Sequence, residues 1–330
     1  MNGTLPLLYK LQILIAMNMR NLIAAFCLFA VFTSCKKEED VNNPDAKTFQ
    51  QTQELSDIKS ENDQANADID NVIDAFPGLK GGRIATDTTL NDICGCKIDR
   101  SEINNRKVTL KYDGITPCLS PSRVRSGNIV IELVEGEGWA RAGAVIKVTY
   151  VNFRVTVERS GKTVLVNGVK YRKNMNGFNW LAFLLGQDSL VFRERGTNMQ
   201  VTVNGNGPHS YNMARRTVAF YKLKQNRRVL HFKAYGDTTI GNFNNVDAWG
   251  SILNGQDYVN TFDEPWLADA HCWFSRPTAG KYTYHYNGNT VSVTLGVGTN
   301  GLKDPRDCAY GWKINWQNAN GKSGERVLSY

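Results

Sequence analysis

Along most of the chain, apolar and polar residues alternate. From about Asp92 onward the period is two: Val108, Leu110 and Tyr112 alternate with Thr109, Lys111 and Asp113, and Ile129, Ile131 and Leu133 share one strand face. Between Ala144 and Arg159 the phase slips, from Ile146, Val148 and Tyr150 to Val151, Phe153, Val155 and Val157. A β-bulge or sharp bend near Tyr150 would restore one apolar face. Eight Asn-Gly steps fall between residues 160 and 330, and this dipeptide favours two-residue hairpin turns. A turn at Asn287-Gly288 pairs Tyr286 with Asn289, Tyr284 with Val291 and Tyr282 with Val293, placing every large apolar residue on one side. The same reading of Asn167-Gly168 pairs Val166 with Val169 and Val164 with Tyr171. Residues 46–77 have a different period. Leu55, Ile58, Ala65, Ile69, Val72 and Phe76 form a helical stripe that Asn62 interrupts and Pro77-Gly78 ends, with Gln, Asn, Asp, Glu and Lys on the other face. The pattern therefore predicts an all-β body, an antiparallel hairpin meander over 92–330, preceded by one amphipathic helix. A sandwich, a barrel and an extended sheet all remain open, as does a division into two subdomains near 205–215.

Composition agrees, with 29 Gly, 13 Tyr, 14 Phe and 7 Trp in 330 residues. The one long apolar run is N-terminal. Met17 to Asn21 form a short basic start, Leu22 to Phe32 an eleven-residue apolar core, and Thr33-Ser34 lead to Cys35. So short an apolar core reads as a signal segment over 1–34 and not as a membrane span, with Met17 or Met19 the true start. The step Phe32-Thr33-Ser34-Cys35 is similar to the lipobox of bacterial lipoproteins, in which a cut before the Cys is followed by lipid attachment. Cys35 is then the lipidation site, and residues 35–45 are a charged linker. The order Lys36-Lys37-Glu38-Glu39-Asp40 resembles a surface-export tag of Bacteroidota lipoproteins. The expected address is the outer membrane, lipid-anchored and extracytoplasmic, facing the cell surface in preference to the periplasm.

Charge is segregated. Cys35 to Glu102 holds 8 basic and 15 acidic residues, net −7, whereas Ile103 to Tyr330 holds 29 basic and 16 acidic, net +13. Arg215, Arg216, Lys222, Lys224, Arg227, Arg228 and Lys233 concentrate positive charge on one hairpin, among Phe220, Tyr221, His231 and Phe232. Outside the cell this favours anionic polysaccharide or lipopolysaccharide over nucleic acid, with Arg215, Arg216, Arg227 and Arg228 as candidate contacts. A solvated face that guards an edge strand is the plainer account of the same residues.

Of the five cysteines left after Cys27 and Cys35, Cys272 and Cys308 flank the Tyr282–Leu295 hairpin and are expected to be bridged. Cys118, after a turn holding Pro117, can return to Cys94 or Cys96, and Cys96 is taken as its partner. The acidic helix after the lipidated Cys, the sequence Gly114-Ile115-Thr116-Pro117-Cys118, the run Arg125 to Ile129, and Cys272-Trp273 followed by a hairpin and Cys308 together resemble a group of Bacteroidota lipoproteins built from repeated β-hairpins. That resemblance implies fold and address, and no activity.

Chemistry is sparse. Gly296 to Gly301 matches the dinucleotide fingerprint in letters, but Lys303-Asp304-Pro305 follows where a helix is required, so no cofactor is expected. Cys94-Gly95-Cys96 and His271-Cys272 lack structural-zinc spacing, so no metal is expected either. Asp263 and Glu264, beside Trp266, Asp269 and His271, form the best catalytic-looking cluster and would suit a glycan hydrolase, whereas a loop with a Pro turn and a buried Trp is the plainer and favoured account of them. No catalytic residue is assigned. A non-enzymatic binding or structural surface is expected, with the hydrolase and a protein-assembly partner as the alternatives.

Overall fold

The computed structural model describes residues 44–75, 79, 93–118, 122–158, 160–177, 183, 185, 186, 188–224, 227–251, 255–272 and 276–330. The signal segment, Cys35 and Phe76 to Gly78 lie outside them. Helix α1 (Pro44–Ala75) is followed by fifteen strands that join one antiparallel sheet: β1 (Cys96–Asp99), β2 (Lys107–Cys118), β3 (Arg123–Glu135), β4 (Val145–Val157), β5 (Lys162–Asn174), β6 (Ser189–Val203), β7 (Asn206–Lys224), β8 (Arg227–Gly236), β9 (Thr238–Ile240), β10 (Phe243–Ser251), β11 (Asp257–Asp269), β12 (Ala279–Tyr286), β13 (Asn289–Val297), β14 (Gly311–Gln317) and β15 (Ser323–Ser329). Each strand neighbours the next, except that β8 and β10 share one place between β7 and β11. Arg215 of β7 pairs with Gly236 of β8 and Met213 with Ala248 of β10, while β9 turns back along β10. The meander expected from the alternation is therefore present, as one sheet whose strand order ends at β1 and β15.

The hairpin at Asn287-Gly288 has the register read from the sequence, Tyr286↔Asn289, Tyr284↔Val291 and Tyr282↔Val293. Both turn residues have positive φ, 46° and 72°, which the twist of a two-residue hairpin requires. Asn167-Gly168 is not a turn. It lies inside β5, where Val166 faces Phe153 on one side and Val201 on the other. It belongs to a line of bulges instead. The slip expected near Tyr150 is a bulge in β4 between Tyr150 and Phe153, with Asn152 at φ 49°. The Asn152 N–H donates to Asn167 Oδ1 at 2.7 Å. On β6 the device recurs: Asn198 has φ 54° and donates its N–H to Asn212 Oδ1 of β7 at 2.8 Å. In each pair an asparagine side chain on the next strand satisfies the amide that the bulge removes from the ladder.

Bulges in adjacent strands bend the sheet, and α1 lies in the bend. Glu61 pairs with Arg123 of β3, while Lys59, about 3 Å away along the axis, pairs with Asp247 of β10 and stacks over Phe262 of β11. The six steps from β3 to β11 would span about 29 Å in a flat sheet. Both strands reach one helical turn because the sheet curls around it. The core fills the trough so formed: Leu55, Ile58, Ala65, Ile69 and Val72 of the helix are buried with the inward faces of β2 to β14. The helical stripe is thus where the sequence put it, but Thr52, Glu54, Lys59 and Glu61 from the polar side are buried as well.

Candidate functional site

Polar and charged groups gather in two places, one inside the trough and one on the outer face. The inner one was not legible as a site. On β5, Lys170 and Arg172 share the inward parity of Val164, and on β6 Glu194 shares that of Phe192. All three are buried. Lys170 Nζ donates to Asn62 Oδ1 at 3.0 Å and to Asn66 Oδ1, and lies 3.7 Å from Glu194 Oε1. Arg172 pairs with Asp70 and lies over the Phe192 ring, 4.4 Å from its centroid. Arg215 grips Asp247 with two bonds, Nε–Oδ1 at 2.6 Å and Nη2–Oδ2 at 2.7 Å, and Lys59 approaches the same carboxylate at 3.3 Å. Arg125 and the Tyr112 hydroxyl both donate to Asp68 Oδ2, the hydroxyl at 2.7 Å.

The electrostatics follow from these partners. Burial acts to raise the Glu194 carboxyl, but Lys170, Arg172 and Arg215 outweigh it and hold the group below the usual carboxylate range. Asp247 is held down in the same way by Arg215 and Lys59 against its burial. At Asp68 burial prevails over Arg125 and Tyr112, so its carboxyl is raised. The spaces left between helix and sheet hold no more than about a water each, so the seam is a packed ionic interface rather than a ligand cavity. The signal that could have revealed it is simple: Lys170, Arg172, Glu194 and Arg215 each occupy the inward parity of a strand that also turns Val164, Phe192 or Met213 inward.

The candidate arginines separate. Arg215 is 3% exposed and faces inward, so it belongs to the seam and is corrected from a surface contact to a structural ion pair. Arg216 is exposed on the outer face opposite Tyr235, and Arg227 pairs with Lys224 at the far end of the same hairpin. Eight residues of strand place these two about 27 Å apart. Arg228 is exposed at the opposite parity to Arg227. The four therefore do not make one site. Around Arg216 the outer face carries other exposed cations, Lys173 of β5 and Arg193 and Arg195 of β6. Asp237, which follows β8, lies 2.9 Å from Arg193 and 3.6 Å from Arg195.

The cysteines form two bridges, Cys272–Cys308 as expected and Cys94–Cys118. The pairing of Cys96 with Cys118 is thereby overturned. Cys96 opens β1 opposite Tyr112 and is committed to the ladder, while the β2 bulge after Asp113 folds Pro117 and Cys118 back beside Cys94. Cys96 is a free thiol, pushed up to about 12 by its burial and by Asp68.

Asp263 and Glu264 lie on strand β11 and not in a loop, both exposed, with register shifts on either side of Glu264. Asp263 accepts a 2.7 Å bond from Thr283 Oγ1 and lies 3.7 Å from Lys281 Nζ. Asp269 is buried and accepts the Cys272 N–H at 2.8 Å, a structural cap. The Gly296–Gly301 segment leaves β13 for a turn in which Val297 bridges Lys303, with no helix to receive a pyrophosphate. No family model, no curated protein and no solved structure matches this chain.

Proposed function

We propose that this chain is a lipid-anchored, extracytoplasmic protein of the outer membrane, facing the cell surface, with a non-enzymatic role of binding anionic glycans through the outer face of its sheet. One observation carries the reading. Inward cations are matched by carboxylates of the helix and by Glu194 and Asp247, whereas outward Lys173 and Arg216 have no carboxylate partner among the described residues. The part of the body's net +13 that the helix carboxylates do not neutralise thus points to solvent, where it attracts polyanions over a range set by salt. The engagement of Asp263 by Thr283 and Lys281 supports the non-enzymatic side of the reading.

The test is binding of the full-length chain in detergent to lipopolysaccharide and to an acidic polysaccharide across a salt series. Binding at low salt that weakens steadily as salt rises is the expected outcome. Absence of binding to either polymer at low salt would overturn the proposal. Turnover of a glycan that is lost in Asp263→Asn or Glu264→Gln would put the hydrolase in its place.

A further inference from the structure

On the outer face, Lys173 of β5 stands directly opposite Arg193 of β6, which stands directly opposite Arg216 of β7. Three cations thus run in register across three adjacent strands, about 4.8 Å per step. All three are exposed. The next row places Tyr171, 47% exposed, opposite Arg195, and Tyr235 closes the first row beyond Arg216. Among the described residues only Asp237 answers this charge, and it serves Arg193 and Arg195. Lys173 and Arg216 have no ion-pair partner among the described residues.

Like charges directly opposite one another weaken a sheet, and where they occur elsewhere among the described strands, at Lys97–Lys111 and Lys224–Arg227, the row is two cations long. The row Lys107–Glu132–Lys147, across β2, β3 and β4 on the same outer face, alternates in sign. The row Lys173–Arg193–Arg216 instead repeats one sign across three strands and is bordered by two tyrosines. We infer that it is a binding site for a linear acidic polysaccharide laid across the strands, with successive carboxylates meeting Lys173, Arg193 and Arg216 and a sugar ring stacking on Tyr171. The chemistry fits each part: guanidinium forks bind carboxylates bidentately, and an exposed aromatic ring offers its face to the C–H bonds of a pyranose. The inference rests on the proposed glycan-binding role and narrows it to one ligand class and one site.

Polygalacturonate, with one carboxylate per sugar, is the probe. The variant Lys173→Gln/Arg193→Gln/Arg216→Gln should bind it about tenfold or more weakly than wild type, whereas Lys222→Gln/Arg227→Gln at the hairpin tip should change binding by less than about twofold. Tyr171→Ala should weaken binding of polygalacturonate but not of inorganic polyphosphate, which has charge and no sugar ring. Should the triple variant fail to fold by circular dichroism, the single Arg216→Gln and the Tyr171→Ala comparison decide. Unchanged affinity in the triple or single cation variant, or equal effects of Tyr171→Ala on the two polymers, would overturn the site. Loss in the hairpin-tip variant alone would move the site and leave the proposed function standing, as would binding of lipopolysaccharide without polygalacturonate. Failure of the wild-type chain to bind any of these polymers would remove both.

Discussion

Gly127 has φ +86° in β3, and a Cβ there would lie 2.1 Å from the carbonyl oxygen of Asn152. The carbonyl is placed by the left-handed Asn152 of the β4 bulge, so the two residues are one device on two strands. Gly127→Ala should therefore cost about 2–4 kcal/mol, read as a lowered urea midpoint with unchanged slope. A midpoint equal to wild type would mean that the bulge yields freely and does not set the bend. At this scale the sequence was partly readable. The slip at Tyr150 appears in the spacing of apolar residues, because one buried face has to be kept. The partner of Cys118 does not, because the choice between Cys94 and Cys96 depends on how β2 folds back after Asp113.

Elements were most legible where one dipeptide acts alone. Asn287-Gly288 forms its hairpin because the flanking residues alternate correctly and nothing else claims the segment. Asn167-Gly168 has the same letters, but β4 and β6 pair across it, and its Asn side chain is used by Asn152. Helix α1 was legible by its stripe, though not by its polar side, which the ionic seam buries. Within that seam Asp247 faces both Arg215 and Lys59, so Asp247→Asn removes the one negative charge that these two buried cations share. A loss of about 3–5 kcal/mol is expected in chemical denaturation, and the exchange Arg215→Met/Asp247→Leu should cost less than Asp247→Asn. The sign of the pH dependence follows from the same contacts. Asp247 and Glu194 are depressed in the folded state, so their contribution is fully present above the unfolded carboxylate values near 4 and is lost as pH falls through their lower folded values. Asp68 is raised, so its contribution is full below its unfolded value and fades as pH rises through the folded one. Acid unfolding of wild type should therefore begin below about pH 4, and Asp247→Asn should flatten that limb. An acid limb that keeps its wild-type slope in the variant would remove Asp247 from the account.

For the whole molecule, the proposed anchor precedes the acidic helix and the basic sheet. Cys35→Ala should abolish incorporation of a fatty-acid analogue and release the protein from the membrane fraction, while protease added to intact cells should degrade the wild type. A wild-type chain that takes up no label would refute the anchor, and one fully protected until lysis would face the periplasm. By itself the sequence determined the strand period, the position of the helix, the all-β class and the division of charge into an acidic start and a basic body, because each is a property of neighbouring residues or of sums over them. Only the tertiary structure decided what those charges meet. Curling the sheet brings Arg123 of β3 and Asp247 of β10, five steps apart in the strand order, to one turn of α1, and strand parity sends Lys170, Arg172 and Arg215 inward while sending Lys173, Arg193 and Arg216 out. Neighbouring cations along a strand thus have opposite fates, one neutralised in the seam and the next left facing solvent. Local sequence cannot assign them, since which parity is inward depends on bulges and on contacts between segments far apart in the chain.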